Sequence, residues 1–240
     1  MEFKRVEELS VQIFADGADK QSMLKMYALP HIKGLTTNPT LMRKAGVTDY
    51  RAFCQDVLES IRSKPISFEV FSDEFDEMER QAEEIGSWGD NVYVKLPVTN
   101  TKGKSSVELI RRLAGQGIKL NITALMTMNQ AEEVADALEP DVPSYISIFA
   151  GRIADTGRDP LTHIRHACNL VKEMPSAEII WASPRELLNI FQADEIGCHV
   201  ITVTNDILKK LKLVGYDLDQ YSLDTVTMFY NDANAAAFDL

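Results

Sequence analysis

The sequence predicts an α/β protein whose strands close into a (β/α)8 barrel, also called a TIM barrel. Eight short apolar runs alternate with stretches of helical periodicity over roughly 210 residues, a length that suits this fold. Several runs, such as VYVKLPV and SYISIFA, are almost wholly apolar, which is typical of parallel strands buried on both faces. An open doubly wound sheet is the alternative, but no GxGxxG or GxxxxGK[ST] loop follows any predicted strand.

The predicted strands follow one another at regular intervals. They are Ser10–Ala15, Gly34–Thr37, Ser67–Phe71, Val92–Val98, Leu120–Leu125, Tyr145–Ala150, Ile179–Ala182 and His199–Val203. The clearest helices between them are Tyr50–Ile61, Glu74–Ile85, Ser106–Leu113, Gln130–Leu138 and Leu161–Val171. Glycine and proline precede the last four strands, where turns are needed: Gly115, Gly117, Pro140, Pro143, Pro175 and Gly197.

The whole chain, residues 1–240, is predicted to form one domain, because no linker or low-complexity segment interrupts the alternation. Residues 215–240 (GYDLDQYSLDTVTMFYNDANAAAFDL) are predicted to form a C-terminal helical tail, because they are too apolar and aromatic for a disordered end. This tail is expected to pack over the barrel or onto a neighbouring subunit. We therefore expect a homo-oligomer.

Charge and cysteine content restrict the class of protein. A net charge of −11 argues against nonspecific binding to nucleic acid or to anionic membranes, which requires a basic surface. No apolar run reaches the roughly 20 residues of a membrane span, and the start of the chain lacks a signal-peptide layout. Three widely separated cysteines without a CxxC pair fit a reducing compartment, so the expected location is cytoplasmic.

In a (β/α)8 barrel, catalytic side chains cluster at the carboxyl ends of the strands. Polar residues at or near these ends are Asp16, Thr37, Asn38, Glu69, Lys95, Asn121, Thr123, Ser147, Arg152, Ser183, Arg185 and Asn205.

Lys95 is the most informative of them, because it lies inside an apolar strand. Burial disfavours the charged form of an amine, and a neutral amine is the nucleophile that forms a Schiff base with a ketone. A purely structural pair with a buried carboxylate is an equally acceptable explanation of the lysine alone.

Asp16 and Glu69 could supply the proton transfers that Schiff-base chemistry needs. Each has a simpler explanation. Asp16 could cap a helix that begins near Ala18, and Glu69 could be only the ion-pair partner of Lys95.

Arg152 and Arg185 follow predicted strands, and Ser183 lies beside Arg185. Together these side chains could bind a phosphate group at the barrel rim, near the loops where barrels often do so. The simpler alternative is that the arginines pair with Asp155, Asp159 or Glu186 at the surface.

Eight motifs, in order along residues 10–240, resemble the transaldolase family, including its short fructose-6-phosphate aldolase branch. They are IFADGAD, GLTTNPTLM, SFEVFSD, VYVKLPVT, LNITALMT, YISIFAGRI, IIWASPREL and HVITVTNDIL. The seventh motif has Pro184 where the family usually has phenylalanine.

The resemblance implies that Lys95 forms the Schiff base and that Asp16, Glu69 and Thr123 handle protons, with Glu69 and Thr123 holding a catalytic water. It implies that Asn38 and Ser147 contact the hydroxyls of the dihydroxyacetone unit. The phosphate would be bound by Arg152, Ser183 and Arg185. Neither a metal nor an organic cofactor is implied.

Phe149 and Glu69 are of the transferase type within this family, since the aldolase branch has tyrosine and glutamine there. The resemblance therefore favours a transaldolase of the pentose phosphate pathway that moves a dihydroxyacetone unit between sugar phosphates. An aldolase that releases dihydroxyacetone and a non-catalytic sugar-phosphate-binding barrel are the alternatives.

Overall fold

A computed structural model of the protein describes residues 4–237 and contains a closed barrel of eight parallel strands. Each strand pairs with the next one along the chain, and β8 pairs with β1 to close the barrel. The strands are β1 (Gln12–Asp16), β2 (Ile32–Thr36), β3 (Ile66–Glu69), β4 (Val92–Pro97), β5 (Leu120–Leu125), β6 (Ser144–Ile148), β7 (Ala177–Trp181) and β8 (Val200–Thr204). The predicted fold class is confirmed, and each predicted strand overlaps an observed one.

Helices lie between consecutive strands, and two more follow β8. They are α1 (Lys20–Tyr27), α2 (Pro39–Lys44), α3 (Tyr50–Ser60), α4 (Phe75–Gly86), α5 (Val107–Gly115), α6 (Met128–Ala135), α7 (Ala150–Ala154), α8 (Leu161–Leu170), α9 (Leu188–Glu195), α10 (Asn205–Leu208) and α11 (Leu218–Ala235). Short 3-10 helices cover Val6–Glu8 and Lys209–Leu213. The apolar faces of the helices other than α11 pack on the outer faces of the strands, and this packing forms the main hydrophobic core.

The floor of the barrel is filled by a second, smaller cluster of inward-facing side chains. Phe14, Tyr145, Ile180 and Val200 are buried in it, and the Phe14 and Tyr145 rings meet edge to face at 5.6 Å between centroids. Gly34 makes room for Phe14, because a Cβ atom on Gly34 would lie 2.5 Å from that ring. Apolar side chains therefore fill the interior of the barrel on the amino-terminal side of its polar residues.

The C-terminal helix α11 differs from the other long helices because it buries no residue. Large apolar side chains along it are exposed: Leu218, Tyr221, Leu223, Val226, Met228, Phe229 and Tyr230. One of the two expectations was that the tail packs over the barrel, and within this single chain α11 does not do so. Contact with a neighbouring subunit stays a prediction. No helix within residues 4–237 is long and apolar enough to cross a membrane.

Candidate active site

A cavity of about 460 Å³ opens at the carboxyl ends of the strands. All ten residues that the sequence singled out as site residues line it: Asp16, Asn38, Glu69, Lys95, Thr123, Ser147, Phe149, Arg152, Ser183 and Arg185. They come from seven strands or the loops that follow them, so barrel closure alone brings them together.

The amine of Lys95 lies at the base of this cavity beside a carboxyl group. Glu69 and Lys95 are register partners on neighbouring strands β3 and β4, and Lys95 Nζ lies 3.3 Å from Glu69 Oε2. The amine also donates a hydrogen bond of 3.1 Å to the carbonyl oxygen of Thr37. The side chain of Lys95 is only 9% exposed and that of Glu69 only 15%, so their charges interact in a poorly hydrated environment.

Burial raises the pKa of Glu69, and the charge of Asp16 acts in the same direction. The charge of Lys95 and its hydrogen bond to Glu69 pull that pKa downward. A carboxylate with a raised pKa is a stronger base than an exposed one, so Glu69 is suited to take the proton from the Lys95 ammonium.

Asp16 belongs to a chain of hydroxyl groups that crosses three strands. The hydroxyl of Thr36 donates to Asp16 Oδ1 at 2.8 Å, and the hydroxyl of Thr202 lies 2.5 Å from that of Thr36. Since the Thr36 proton is used on Asp16, Thr202 must donate to Thr36. Burial raises the pKa of Asp16, whereas the charge of Lys95 and the Thr36 hydrogen bond lower it.

The proposal that Asp16 caps a helix does not describe the structure. Helix α1 begins at Lys20, and its cap is Asp19, whose side chain accepts a hydrogen bond from the backbone N–H of Ser22. Asp16 does not cap this helix and instead lines the cavity.

Thr123 lines the cavity, and an irregularity in β5 directly follows it. The pairing of β5 with β6 shifts between Ile122 and Leu125, and Ala124 has a φ of 66°, in the left-handed region. The buried hydroxyl of Thr123 makes no hydrogen bond within residues 4–237. It lines the cavity, and a ligand or water could therefore use both its donor and its acceptor capacity.

Ser147 is oriented by a polar chain through the middle of the barrel. Its hydroxyl donates to Asn121 Oδ1 at 2.7 Å, and Asn121 Nδ2 donates to the hydroxyl of Ser67 at 2.9 Å. All three side chains are buried. The lone pairs of the Ser147 hydroxyl remain available to accept a hydrogen bond from a substrate hydroxyl.

Asn38 and Phe149 complete the walls. The Asn38 side-chain oxygen caps α2 by accepting a hydrogen bond of 3.0 Å from the N–H of Leu41, so its amide nitrogen is the group that can reach a ligand. Phe149 precedes α7 and packs against the aromatic floor. Its ring presents no hydrogen-bonding group to the cavity.

The two arginines differ in how they are held. Arg185 forms a two-point ion pair with Asp155, through Nε at 3.0 Å and through Nη2. Arg152 is exposed and has no ion-pair partner among residues 4–237. The alternative that the sequence left open, pairing with Asp155, thus applies to Arg185 and not to Arg152.

Ser183 and Arg185 are positioned by a close contact with α7. Ser183 has a φ of 58°, and a Cβ atom placed on Gly151 would lie 1.6 Å from the Ser183 carbonyl oxygen. Only a glycine allows the two backbones to approach this closely.

Residues 13–240 match the family model described as "Transaldolase/Fructose-6-phosphate aldolase", which covers nearly the whole chain. The chain belongs to this family. The family expected from the sequence is confirmed, and so is the expectation of a transaldolase-family enzyme.

Several similar proteins bear the name of a transaldolase. A "Probable transaldolase" from Dehalococcoides mccartyi is 32% identical over 202 residues, which cover 84% of this chain and 90% of that protein. A "Probable transaldolase 2" from Listeria monocytogenes is 33% identical over 207 residues, 84% and 88% of the two chains. A "Probable transaldolase" from a Thermoanaerobacter species is 34% identical over 204 residues, 84% and 89%. These three proteins are therefore of similar length to this chain.

Thr36 and Thr202 line the cavity of this family member but were not singled out from the sequence. Asn121, which the sequence did place near a strand end, does not line the cavity but accepts a hydrogen bond from Ser147, which does. Thr36 and Thr202 gave no signal, because threonine is common in strands whatever it contacts.

Proposed function

We propose that the protein is a transaldolase that carries a dihydroxyacetone unit on Lys95. The donor is a ketose phosphate, sedoheptulose 7-phosphate or fructose 6-phosphate, and the acceptor is an aldose phosphate, as in the pentose phosphate pathway. The observation that carries the proposal is the buried Lys95 amine, 3.3 Å from the Glu69 carboxyl at the base of the cavity.

In the first half-reaction, Glu69 takes a proton from the Lys95 ammonium and the amine attacks the C2 carbonyl of the donor. The carbinolamine loses water as the Schiff base forms, with protons relayed by Glu69 and the Thr123 hydroxyl. Asp16 takes the proton from the C4 hydroxyl while the C3–C4 bond breaks and an aldose phosphate leaves. The protonated imine accepts the bonding electrons and becomes an enamine.

In the second half-reaction, C3 of the enamine attacks the aldehyde carbon of the acceptor, and Asp16 returns its proton to the new C4 hydroxyl. Water then adds to the Schiff base, and the new ketose phosphate departs from Lys95. In this proposal Asn38 and Ser147, which line the cavity, hydrogen-bond the hydroxyls of the retained unit.

Phe149 and Glu69 support transfer over simple aldol cleavage. Phe149 offers no hydroxyl group to orient a water molecule near Lys95, so hydrolysis of the intermediate is disfavoured and an acceptor aldehyde has time to bind. Donor cleavage that releases dihydroxyacetone is the second candidate, because the matched family model includes fructose-6-phosphate aldolases by its description.

The proposal is tested by incubating the protein with fructose 6-phosphate, with and without erythrose 4-phosphate, and analysing the products. We expect sedoheptulose 7-phosphate when the acceptor is present and little free dihydroxyacetone when it is absent. Equal release of dihydroxyacetone in both reactions would identify an aldolase. Binding of fructose 6-phosphate without either product, and without a borohydride-reducible adduct, would identify a sugar-phosphate-binding barrel.

We propose that Arg152 binds the donor phosphate, since it lines the cavity and is not engaged by a carboxylate. Hydrogen bonds to charged groups contribute about 1.5–3 kcal/mol, so Arg152→Ala should raise KM for fructose 6-phosphate roughly 10- to 100-fold. Steady-state kinetics measure this effect. Arg158→Ala is the matched control, because Arg158 is also exposed but bonds to Thr156 outside the cavity. An equal KM for the two variants would remove Arg152 from the phosphate site.

We propose that α11 mediates assembly into a homo-oligomer. Large apolar side chains are exposed along this helix: Leu218, Tyr221, Val226, Phe229 and Tyr230. A monomer usually exposes such side chains singly and not in a group of this size. Deletion of residues 216–240 should leave the barrel folded and lower the sedimentation coefficient to that of a monomer. Phe229→Glu should weaken assembly in the same direction. An unchanged sedimentation profile for the deletion would contradict this role.

We also propose a cytoplasmic location. Three free thiols, those of Cys54, Cys168 and Cys198, support a reducing compartment.

A further inference from the structure

Thr202 lies on β8 at the level where the apolar floor of the barrel gives way to the polar cavity. It follows Val200 of the floor by two residues, and alternate residues of a strand share a face, so its side chain points into the barrel. Thr202 lines the cavity and is only 7% exposed. A valine would fill nearly the same space, and a buried hydroxyl costs free energy unless it is hydrogen-bonded. The hydroxyl is therefore the feature of Thr202 that needs an explanation.

The Thr202 hydroxyl has one hydrogen-bond partner within residues 4–237. This partner is the hydroxyl of Thr36 at 2.5 Å, and Thr36 in turn bonds to Asp16 Oδ1 at 2.8 Å. Strands β2 and β8, which carry the two threonines, pair with β1 on either side of Asp16. Thr36 is only 1% exposed, so water does not readily replace either hydroxyl.

The number of protons fixes the direction of this chain. An ionised carboxylate only accepts hydrogen bonds, and each hydroxyl has a single proton to donate. Thr36 therefore donates to Asp16, and Thr202 donates to Thr36. A hydroxyl that accepts a hydrogen bond becomes a stronger donor, so Thr202 strengthens the bond from Thr36 to the carboxylate.

The chain occupies only one oxygen of the Asp16 carboxyl. Oδ1 accepts the Thr36 hydrogen bond, whereas Oδ2 has no hydrogen-bond or ion-pair partner in the described part of the chain. Asp16 lines the cavity, so Oδ2 is the oxygen that a substrate hydroxyl can reach. A carboxyl that is already held through Oδ1 loses less freedom when the substrate binds.

We propose that Thr202 is a positioning residue for the Asp16 carboxyl. Its hydroxyl orients that of Thr36, Thr36 stabilises ionised Asp16 through Oδ1, and Oδ2 stays free to take the proton of the C4 hydroxyl of the donor. The last of these steps rests on the proposed function, while the first two are properties of the protein without a substrate. Thr202 acts only through Thr36.

Several charged side chains also surround Asp16. Lys95, Glu69, Arg152 and Arg185 line the same cavity. Asp16 also borders a second cavity, of about 390 Å³, whose charged residues are Asp19, Lys44 and Asp206. Strands β2 and β8 contribute no charged side chain to either cavity. None of the seven groups hydrogen-bonds to Thr36 or Thr202 among residues 4–237, so removal of the hydroxyls leaves these charges in place.

The expected effect is a higher pKa of Asp16 when a hydroxyl is removed. Burial raises this pKa, and the Lys95 charge and the Thr36 hydrogen bond lower it. Thr36→Val should raise it by about 1 unit, since a hydrogen bond to a charged group is worth about that much. Thr202→Val should raise it by about 0.3 unit, because it only weakens the Thr36 bond. Thr202→Ser should restore the original value.

The measurement is a carbon-13 NMR titration of the unliganded protein, labelled at the aspartate carboxyl carbons. The Asp16 signal is identified by its loss in Asp16→Asn. In the Thr36→Val background, Thr202→Val should cause no further change in the pKa of Asp16, because its route through Thr36 is already broken. The acid limb of the pH profile of kcat/KM for fructose 6-phosphate should move to higher pH by the same amounts in the single variants.

Thr204→Val is the matched control. Thr204 is the next inward-facing residue of β8 and also lines the cavity, but its side chain makes no hydrogen bond within residues 4–237. The proposal is overturned if Thr202→Val leaves the pKa of Asp16 unchanged, or if Thr204→Val raises it equally. It is also overturned if Thr202→Val has its full effect in the Thr36→Val background. Thr202→Ala replaces Thr202→Val if the valine variant does not fold.

The titration and the kinetics separate this proposal from the proposed function. If the unchanged protein forms neither transfer product nor borohydride-reducible adduct, the proposed function fails, and the titration still decides whether Thr202 acts on Asp16. If the unchanged protein is active but its acid limb does not move in Thr202→Val, the role of Thr202 is refuted and the proposed function stands.

Discussion

Replacing Lys95 by methionine should abolish turnover and also the adduct that borohydride reduces after incubation with fructose 6-phosphate. Methionine has a similar length but no amine, so it cannot form the Schiff base. Loss of a covalent nucleophile typically costs about 10⁴-fold or more in rate. The measurements are product formation and intact mass with peptide mapping, which should place the adduct on Lys95 in the unchanged protein.

The fold of this variant should survive. Removal of Lys95 leaves Glu69 without its counter-charge, but Glu69 already has a raised pKa and can take up a proton. Lys33→Met is the matched control, because Lys33 is exposed and, within residues 4–237, hydrogen-bonds only to the Pro30 carbonyl. Appreciable activity in a folded Lys95→Met variant would refute the Schiff-base mechanism.

Gly151→Ala should damage both stability and phosphate recognition, although it adds a single methyl group. The new Cβ would lie 1.6 Å from the Ser183 carbonyl oxygen and 3.1 Å from Arg185 Nε. A backbone oxygen cannot move aside alone, so the loop after β7 must shift, and Ser183 and Arg185 must shift with it. Overpacking of this kind costs about 1–3 kcal/mol in the free energy of unfolding.

Urea unfolding and steady-state kinetics check this expectation. We expect a lower unfolding midpoint and a higher KM for fructose 6-phosphate. Gly115→Ala is the control, because a Cβ atom at the end of α5 meets nothing within 4 Å and alanine favours the helix. If Gly151→Ala and Gly115→Ala unfold at the same urea concentration with unchanged KM, the contact between α7 and the β7 loop has no role in the site.

The barrel and the composition of its cavity could be predicted because both follow from alternation along the chain. A polar residue at the carboxyl end of any strand faces the same rim once eight parallel strands close. No knowledge of distances was therefore needed to predict that Lys95, Glu69 and Arg152 lie at one site. Their roles in catalysis and binding remain predictions that the experiments above test.

Contacts that depend on a local change in geometry could not be predicted. The irregularity that follows Thr123 in β5 has a backbone φ of 66° at Ala124, a residue type that does not favour this conformation. The pairing of Arg185 with Asp155 was one of several pairings open to that arginine. The sequence of α11 shows an apolar surface but does not indicate what covers it.

The aromatic floor of the barrel has a consequence for the order of events. With Phe14 and Tyr145 sealing the amino end, molecules reach Lys95 from the rim at the opposite end. In the proposed transfer, the first aldose must vacate this passage before the second can enter. Donor and acceptor would therefore bind alternately to two forms of the enzyme, free and carrying the three-carbon unit, and double-reciprocal rate plots at several acceptor concentrations would be parallel.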